Sequence, residues 1–280
     1  MTATIWRCGK FVLPGHRPLI MGVVNLTPDS FSGDGVASDV TRAARHARRL
    51  IGEGADIIDL GAESSRPGAI PAPTDEELGR LIPILAELSG CGVPLSVDTY
   101  KPEVMAAALA HGASMINDIY ALRMPGALRA VADSDCAVCL MHMQGEPRTM
   151  QTDPRYDDVV TEVRDFLADR LAAAKATGVS IERVVLDPGF GFGKTLRHNL
   201  ELLRHLDELA LEGLPVLAGI SRKSMLGAIT GRRVEDRLAA SVAAAVIAAE
   251  HGAAILRVHD VAATRDALAV WRAVERSGAE

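Results

Sequence analysis

This sequence has no excess of positive charge. Thirty lysines and arginines against 36 aspartates and glutamates leave it at -6, which excludes broad binding to nucleic acid or to an anionic membrane. No stretch approaches the ~18 consecutive apolar residues of a membrane span. The opening residues, Met1 to Cys8, lack the apolar core of a signal peptide. A cytoplasmic protein with no membrane partner is expected. Cysteine is scarce too: Cys8, Cys91, Cys136 and Cys139. The pair 136-CAVC-139 has metal or redox spacing but no second pair to complete a zinc site. It lies in an apolar run that reads as a buried strand, where residues three apart point to opposite faces and cannot share a ligand. They are expected to be core cysteines.

A nucleotide P-loop is also missing, although 186-LDPGFGFGKT-195 comes close to one. The motif needs glycine, four residues, then Gly-Lys-[Ser/Thr]. Counting back from Gly193, the first glycine falls on Pro188, which has no N–H to offer a phosphate. Asp187 beside it would repel one. Lys194 is therefore not expected to touch a phosphate.

What is present is a repeated unit of short apolar run, loop and helical pattern. The runs are 19–25, 55–61, 93–98, 114–119, 136–142, 183–189, 214–221 and 253–260. Near-continuous apolarity suits parallel strands buried on both faces. Between them, Asp39 is placed to cap a helix over 40–54, Thr74 and Glu77 form a capping-box pattern, and Pro102 opens a helix that Gly112 stops. Residues 157–178 read as a long amphipathic helix. Residues 235–252 are apolar on most faces and are expected to be buried, between subunits. Eight strands alternating with about eight helices predict a single-domain (β/α)8 TIM barrel over 18–280, with a doubly wound open sheet as the alternative. Residues 1–17 read as a hairpin plugging the bottom of the barrel.

Polar residues sit at nearly every predicted strand end, where a barrel places its active site. Asp98, Asn117 and Asp187 together can read a ring bearing a row of N–H groups, because a carboxylate accepts two parallel bonds from a guanidine-like edge and Asn both donates and accepts. Arg257 lies inside a buried-looking strand and needs a partner there. Arg257 and His259 share a strand face and, with Asn25, suggest an anion site; Lys223 and Arg66 are further basic candidates. Two long Gly/Pro/Ser-rich loops, 26–39 and 62–75, are candidate lids.

With these residues in view, the sequence resembles the dihydropteroate synthase family. The segments that carry the resemblance are MGVVNLTPDSFS, DIIDLGAESSRPGA, LSVDTYKP, MINDI, CLMHMQG, LDPGFGFGKTLRHN, GISRKSMLG and RVHDV, in the family's order over residues 20 to 262. The resemblance implies a homodimeric barrel. It implies condensation of 6-hydroxymethyl-7,8-dihydropterin pyrophosphate with 4-aminobenzoate, giving 7,8-dihydropteroate and pyrophosphate for folate synthesis. By it, Asp98, Asn117, Asp187 and Lys223 bind the pterin, with Arg257 stacking on the ring. Asn25, Ser65, Arg66, Arg257 and His259 hold the pyrophosphate, with Mg²⁺ at Asn25. Phe31, Ser65, Pro67, Phe192 and Ser221 form the 4-aminobenzoate pocket, where sulfonamides would compete. Lys223, Arg257, His259 and Arg66 are the catalytic candidates.

Departures from the family pattern are small: Gly33-Asp34 stands where Asp-Gly is usual, and Ala62 where glycine is common. A methyltransferase on the same barrel would not need the DSFS and SSRPG loops. A catalytically silent pterin-binding homologue would carry damaged loops or a damaged anion site.

Overall fold

The computed structural model describes residues 6–27, 36–64 and 68–277. Its centre is a ring of eight parallel strands: β3 (Leu19–Asn25), β4 (Ile57–Gly61), β5 (Leu95–Asp98), β6 (Met115–Asp118), β7 (Ala137–Met141), β8 (Val184–Asp187), β9 (Leu217–Ala218) and β10 (Ile255–Val258). They pair in the order β8-β7-β6-β5-β4-β3-β10-β9. The ring closes between β8 and β9 through the single bridge Leu186–Val216 and the bond from Leu186 N–H to Pro215 O at 3.0 Å. Pro215 has no N–H to extend that ladder, which helps keep the seam short. Each expected apolar run contains one strand, and the expected TIM barrel is the observed fold.

Around the ring lie α1 (Val36–Glu53), α2 (Thr74–Glu87), α3 (Pro102–Ala110), α4 (Ala127–Ala132), α5 (Val159–Ala176), α6 (Leu196–Arg204), α7 (Ser224–Thr230), α8 (Leu238–Glu250) and α9 (Val261–Ser277). Pro102 is the first residue of α3, and Asp158 caps α5 by accepting from Val160 N–H and Thr161 N–H. Two expected caps differ. α1 begins at Val36, so Asp39 lies inside it. α2 begins at Thr74 itself, after Pro73, with no side-chain cap. Glu77 cannot close a capping box because it is buried against Lys101, Oε2 to Nζ 2.7 Å. The helix expected over 235–252 is α8, preceded by a separate 3-10 turn over Val234–Asp236. It buries one face through Ser241, Ala244, Ala245, Ala248 and Ala249, while Leu238 and Ile247 are exposed.

Side chains alternate along each strand, so the barrel separates two cores. The outer core packs strand residues such as Ile58, Leu60 and Val138 against the helices. The inner core fills the lower barrel with Leu19, Met21, Ile57, Met115, Val185 and Ile255. The N-terminal hairpin, β1 (Trp6–Cys8) paired antiparallel with β2 (Phe11–Leu13), adds Trp6 and Cys8 to that inner core. Cys139 belongs to the inner core and Cys136 to the outer one, the opposite faces that their spacing predicts. All four cysteines are free. No helix among the described residues is long and apolar enough to cross a membrane.

Candidate active site

Parallel strands put all their C-terminal ends on one face, and the register sets their level. Asn25 pairs with Gly61, Gly61 with Asp98, Asp98 with Asn117, and Asp187 with Met141. A Cβ on Gly61 would lie 3.8 Å from both Asn25 Oδ1 and Asp98 Cβ, so the missing side chain leaves open space between those two residues.

One layer lower, Asp59 is fully buried at the centre of a hydrogen-bond network. It accepts from Ser96 Oγ at 2.6 Å, Arg257 Nε at 2.6 Å and Asn117 Nδ2 at 3.3 Å. Arg257 also donates from Nη2 to Asp98 Oδ2 at 2.9 Å. This is the partner that a cation inside an apolar strand requires. Asp59 escaped the sequence reading because it sits in the run Ile57-Ile58-Asp59-Leu60. A lone carboxylate there was the available signal, by the same reasoning that singled out Arg257.

Burial pushes the Asp98 carboxyl up to about 7, against the pull of Arg257. Burial also raises Asp187, with Lys223 and the Gly189 N–H, 2.7 Å from Oδ1, holding it down. Lys223 is pushed down to about 8 by burial, opposed by Asp187. Its Nζ donates to the Phe190 carbonyl and lies 4.8 Å from the Phe192 ring centroid. Three carboxylates, Asp59, Asp98 and Asp187, thus share this mouth with two cations. The second oxygens of Asp98 and Asp187 and Asn117 Oδ1 accept no hydrogen bond among the described residues. They leave a row of acceptors open to a ligand. Ile119, Met141, Met143 and Met150, packed with Tyr100, Tyr120 and Phe192, form an apolar wall that the sequence reading did not find.

On the other side, His259 Nδ1 lies 3.1 Å from Ser221 Oγ, which also accepts from the His259 N–H at 3.3 Å. Ser221, expected to belong with Phe192, is joined to His259. A cavity of about 450 Å³ opens beside them, lined by Asn25, Arg222, His259, Asp260 and the first turn of α9 on one side and by His46, Arg49 and Glu53 of α1 on the other. The opening N–H groups of such a helix lack intrahelical partners and favour an anion.

The second long loop is tied at its base. Lys101 Nζ donates to Glu63 Oε2 at 2.5 Å, to Glu77 Oε2 at 2.7 Å and to the Ala72 carbonyl at 2.6 Å. Glu63 Oε2 also accepts from the Ala72 N–H at 3.0 Å. One ammonium therefore joins the two sides of the loop.

Asn25, Asp98, Asn117, Asp187, Phe192, Ser221, Lys223, Arg257 and His259 all gather at this one mouth. Phe31, Ser65, Arg66 and Pro67 lie outside the described residues, as does Asp34. The family described as "Pterin binding enzyme" matches residues 21–259. The dihydropteroate synthase of Neisseria meningitidis serogroup B is 50% identical over 98% of this chain and 99% of its own length. The chain belongs to the dihydropteroate synthase family of pterin-binding enzymes. Two solved structures of the family share its fold closely. The Burkholderia cenocepacia enzyme, complexed with 7,8-dihydropteroate, is 53% identical with a TM-score of 0.91, covering 99% of this chain and 98% of that one. The Xanthomonas albilineans enzyme with 4-aminobenzoic acid is 53% identical with a TM-score of 0.92, covering 98% and 99%.

Proposed function

We propose that this chain is an enzyme of folate synthesis that condenses 6-hydroxymethyl-7,8-dihydropterin pyrophosphate with 4-aminobenzoate, releasing 7,8-dihydropteroate and pyrophosphate. The observation that carries the reading is the single mouth where Asp98, Asn117, Asp187, Lys223 and Arg257 converge with open acceptors. A pterin presents a guanidine-like N–H edge, and carboxylate acceptors facing it give strong, oriented hydrogen bonds.

The bond from the pterin methylene to the diphosphate oxygen breaks, and the diphosphate leaves with the electron pair. The amine nitrogen of 4-aminobenzoate supplies the pair for the new C–N bond, and its surplus proton passes to water. An aromatic amine is neutral near pH 7, so no strong base is required. Asp98 and Asp187 favour the positive charge that develops on the methylene and ring. Arg257, His259 and Arg66 favour the charge that develops on the leaving diphosphate. Lys223 and Phe192 fix the ring and wall the second substrate, and Ser221 holds His259 in place. The work is mainly positioning and electrostatics. Sulfonamides would compete for the 4-aminobenzoate pocket.

Asn25 suits Mg²⁺. Its side chain accepts no hydrogen bond among the described residues and faces the open space at Gly61. No cluster of three His, Cys, Asp or Glu among those residues offers a complete metal cage. That fits an ion that takes few protein oxygens and the rest from phosphate and water. When bound, Mg²⁺ would supply Lewis-acid stabilisation of the diphosphate.

A second copy of the chain is the expected partner. Leu196, Leu200, Ile229, Leu238 and Ile247 are exposed along the neighbouring α6, α7 and α8, with Val234 on the turn before α8, and would be covered in a homodimer. The cytoplasm is the expected site, because a charged diphosphate substrate does not cross a membrane unaided.

The decisive assay is pyrophosphate release that depends on added 4-aminobenzoate. Tight pterin binding without release would mark a silent homologue, and methyl transfer from methyl-tetrahydrofolate would mark a methyltransferase.

A further inference from the structure

The lysine of the near-P-loop is turned inward. Lys194 is buried, and its ammonium donates to His142 Nδ1 at 2.9 Å, Gly189 O at 3.0 Å and Phe192 O at 2.9 Å, with the His142 carbonyl a longer fourth acceptor at 3.4 Å. No donor is left for a phosphate. Donation to Nδ1 requires the neutral imidazole, in agreement with burial and Lys194 together holding His142 down to about 2.

The acceptors outline the loop 189–193. Phe192 N–H closes it on Gly189 O at 3.0 Å. Tyr156 Oη donates to Gly193 O at 2.8 Å, and Asn199 Oδ1 accepts from the Gly191 N–H at 2.7 Å. The backbone is left-handed at Gly189 and Gly193, and a Cβ would collide with the His142 carbonyl at the first and the Gln144 carbonyl at the second. The loop is therefore pressed against the segment after β7, with the ammonium filling the space between them. Burial pulls the Lys194 pKa well below its ordinary value, opposed by Asp187, and a charge there is kept only because every donor is matched. Phe192 projects from this loop beside Lys223.

We propose that Lys194 is a positioning residue for the second substrate: its buried ammonium is the template on which the 189–193 loop is set, and through that loop it fixes the Phe192 ring. The inference rests on the condensation proposed above. It places the lysine's main effect on the 4-aminobenzoate side; direct pterin contact belongs to Asp98, Asn117, Asp187 and Lys223, which the loop meets only through its backbone, Gly189 N–H on Asp187 and Phe190 O on Lys223.

Steady-state kinetics of Lys194→Met test it. The KM for 4-aminobenzoate should rise about tenfold, as expected when well-formed buried hydrogen bonds are lost, with kcat and the KM for the pterin diphosphate within about threefold of wild type. Because Lys194 acts through the ring, its substitution should add little in a Phe192→Ala background. Equal rises in both KM values, no rise in either, or additive effects in the double variant would overturn the proposal. Should Lys194→Met not fold, His142 carries the same test. His142→Asn keeps an acceptor near the Nδ1 position and should be close to wild type. His142→Leu removes it and should raise the 4-aminobenzoate KM about threefold. Indistinguishable values for these two would sink the idea. A wild type without turnover fails the functional reading as well. A wild type that turns over, beside variants that do not separate the two substrates, fails this inference alone.

Discussion

The two ends of the barrel are built from the same strands and share almost nothing chemically. At the lower end, Met21, Ile57, Met115 and Val185 are fully buried among apolar neighbours, with Trp6 and Cys8 of the hairpin packed on them. Two residues further along the strands, at the upper end, Asp59 and Asn117 are equally well buried and are charged or polar. The lower end is held by area removed from water. The upper end is held by one guanidinium between two carboxylates, an arrangement that is costly unless every member is paired. The comparison separates stability, carried by the lower layer, from the polar upper layer to which ligand recognition is assigned in the proposed function.

That separation can be tested most forcefully at Arg257. Arg257→Met leaves Asp59 and Asp98 facing each other without their shared cation. On the proposed mechanism turnover should fall about a thousandfold, because Arg257 would favour leaving-group charge and holds Asp98, a proposed pterin acceptor, in place. Steady-state kinetics of the folded variant check it. The opposite end gives the converse. Ile57→Ala should lower unfolding free energy by about 3 kcal/mol in a denaturant titration, while kcat/KM per folded molecule stays within about twofold. A large fall in kcat/KM there would show that the two ends are coupled.

Asp187→Asn sharpens the upper end alone. It keeps the shape but places an N–H donor where the pterin also donates. Affinity for the pterin diphosphate, measured by calorimetry, should fall about a hundredfold with little change in Tm.

The gentlest probe is pH. On the proposed reading Asp98 accepts two charge-assisted bonds from the pterin, which needs it ionised, and its pKa is raised to about 7. Lys223, lowered to about 8, loses its positive charge, and with it charge-assisted donation, above that value. Pterin binding should therefore peak between these values and fall, by up to about tenfold per unit, as pH drops below the Asp98 value. Stability responds to Asp98 with the other sign. Its folded pKa lies above the ordinary 3.8, so the folded state holds the proton more tightly. This group's contribution then improves as pH falls from about 7 toward 3.8. Binding and Tm measured across that range should move in opposite directions at this group, and Asp98→Asn should flatten both.

Much of this site was legible from strand ends. Asp98, Asn117 and Asp187 each close an apolar run, and a barrel must bring such ends together. Arg257 was legible as a cation needing a partner, but not which one: Asp59 lies 198 residues away, and only the closed ring brings β10 within two strands of β4. Thr74 and Glu77 matched a cap in the chain's own local grammar, yet Glu77 is claimed by Lys101 from the next unit. The apolar wall of Ile119, Met141, Met143 and Met150 left no local trace, since Met141 in an apolar run reads as core and Met143 and Met150 lie among polar residues with no shared period.

The sequence by itself determined the eight parallel strands, the opposed faces of Cys136 and Cys139, and the missing N–H at Pro188. Each of these follows from local geometry: the two-residue period of a strand, or the proline ring. Only the tertiary structure decided that Asp59 and Asp98 share one guanidinium, that Ser221 is hydrogen-bonded to His259, and that Lys194 turns its donors into the protein. Those outcomes depend on which distant groups compete for the same buried proton or charge, and that competition is settled only when the ring closes and water is excluded.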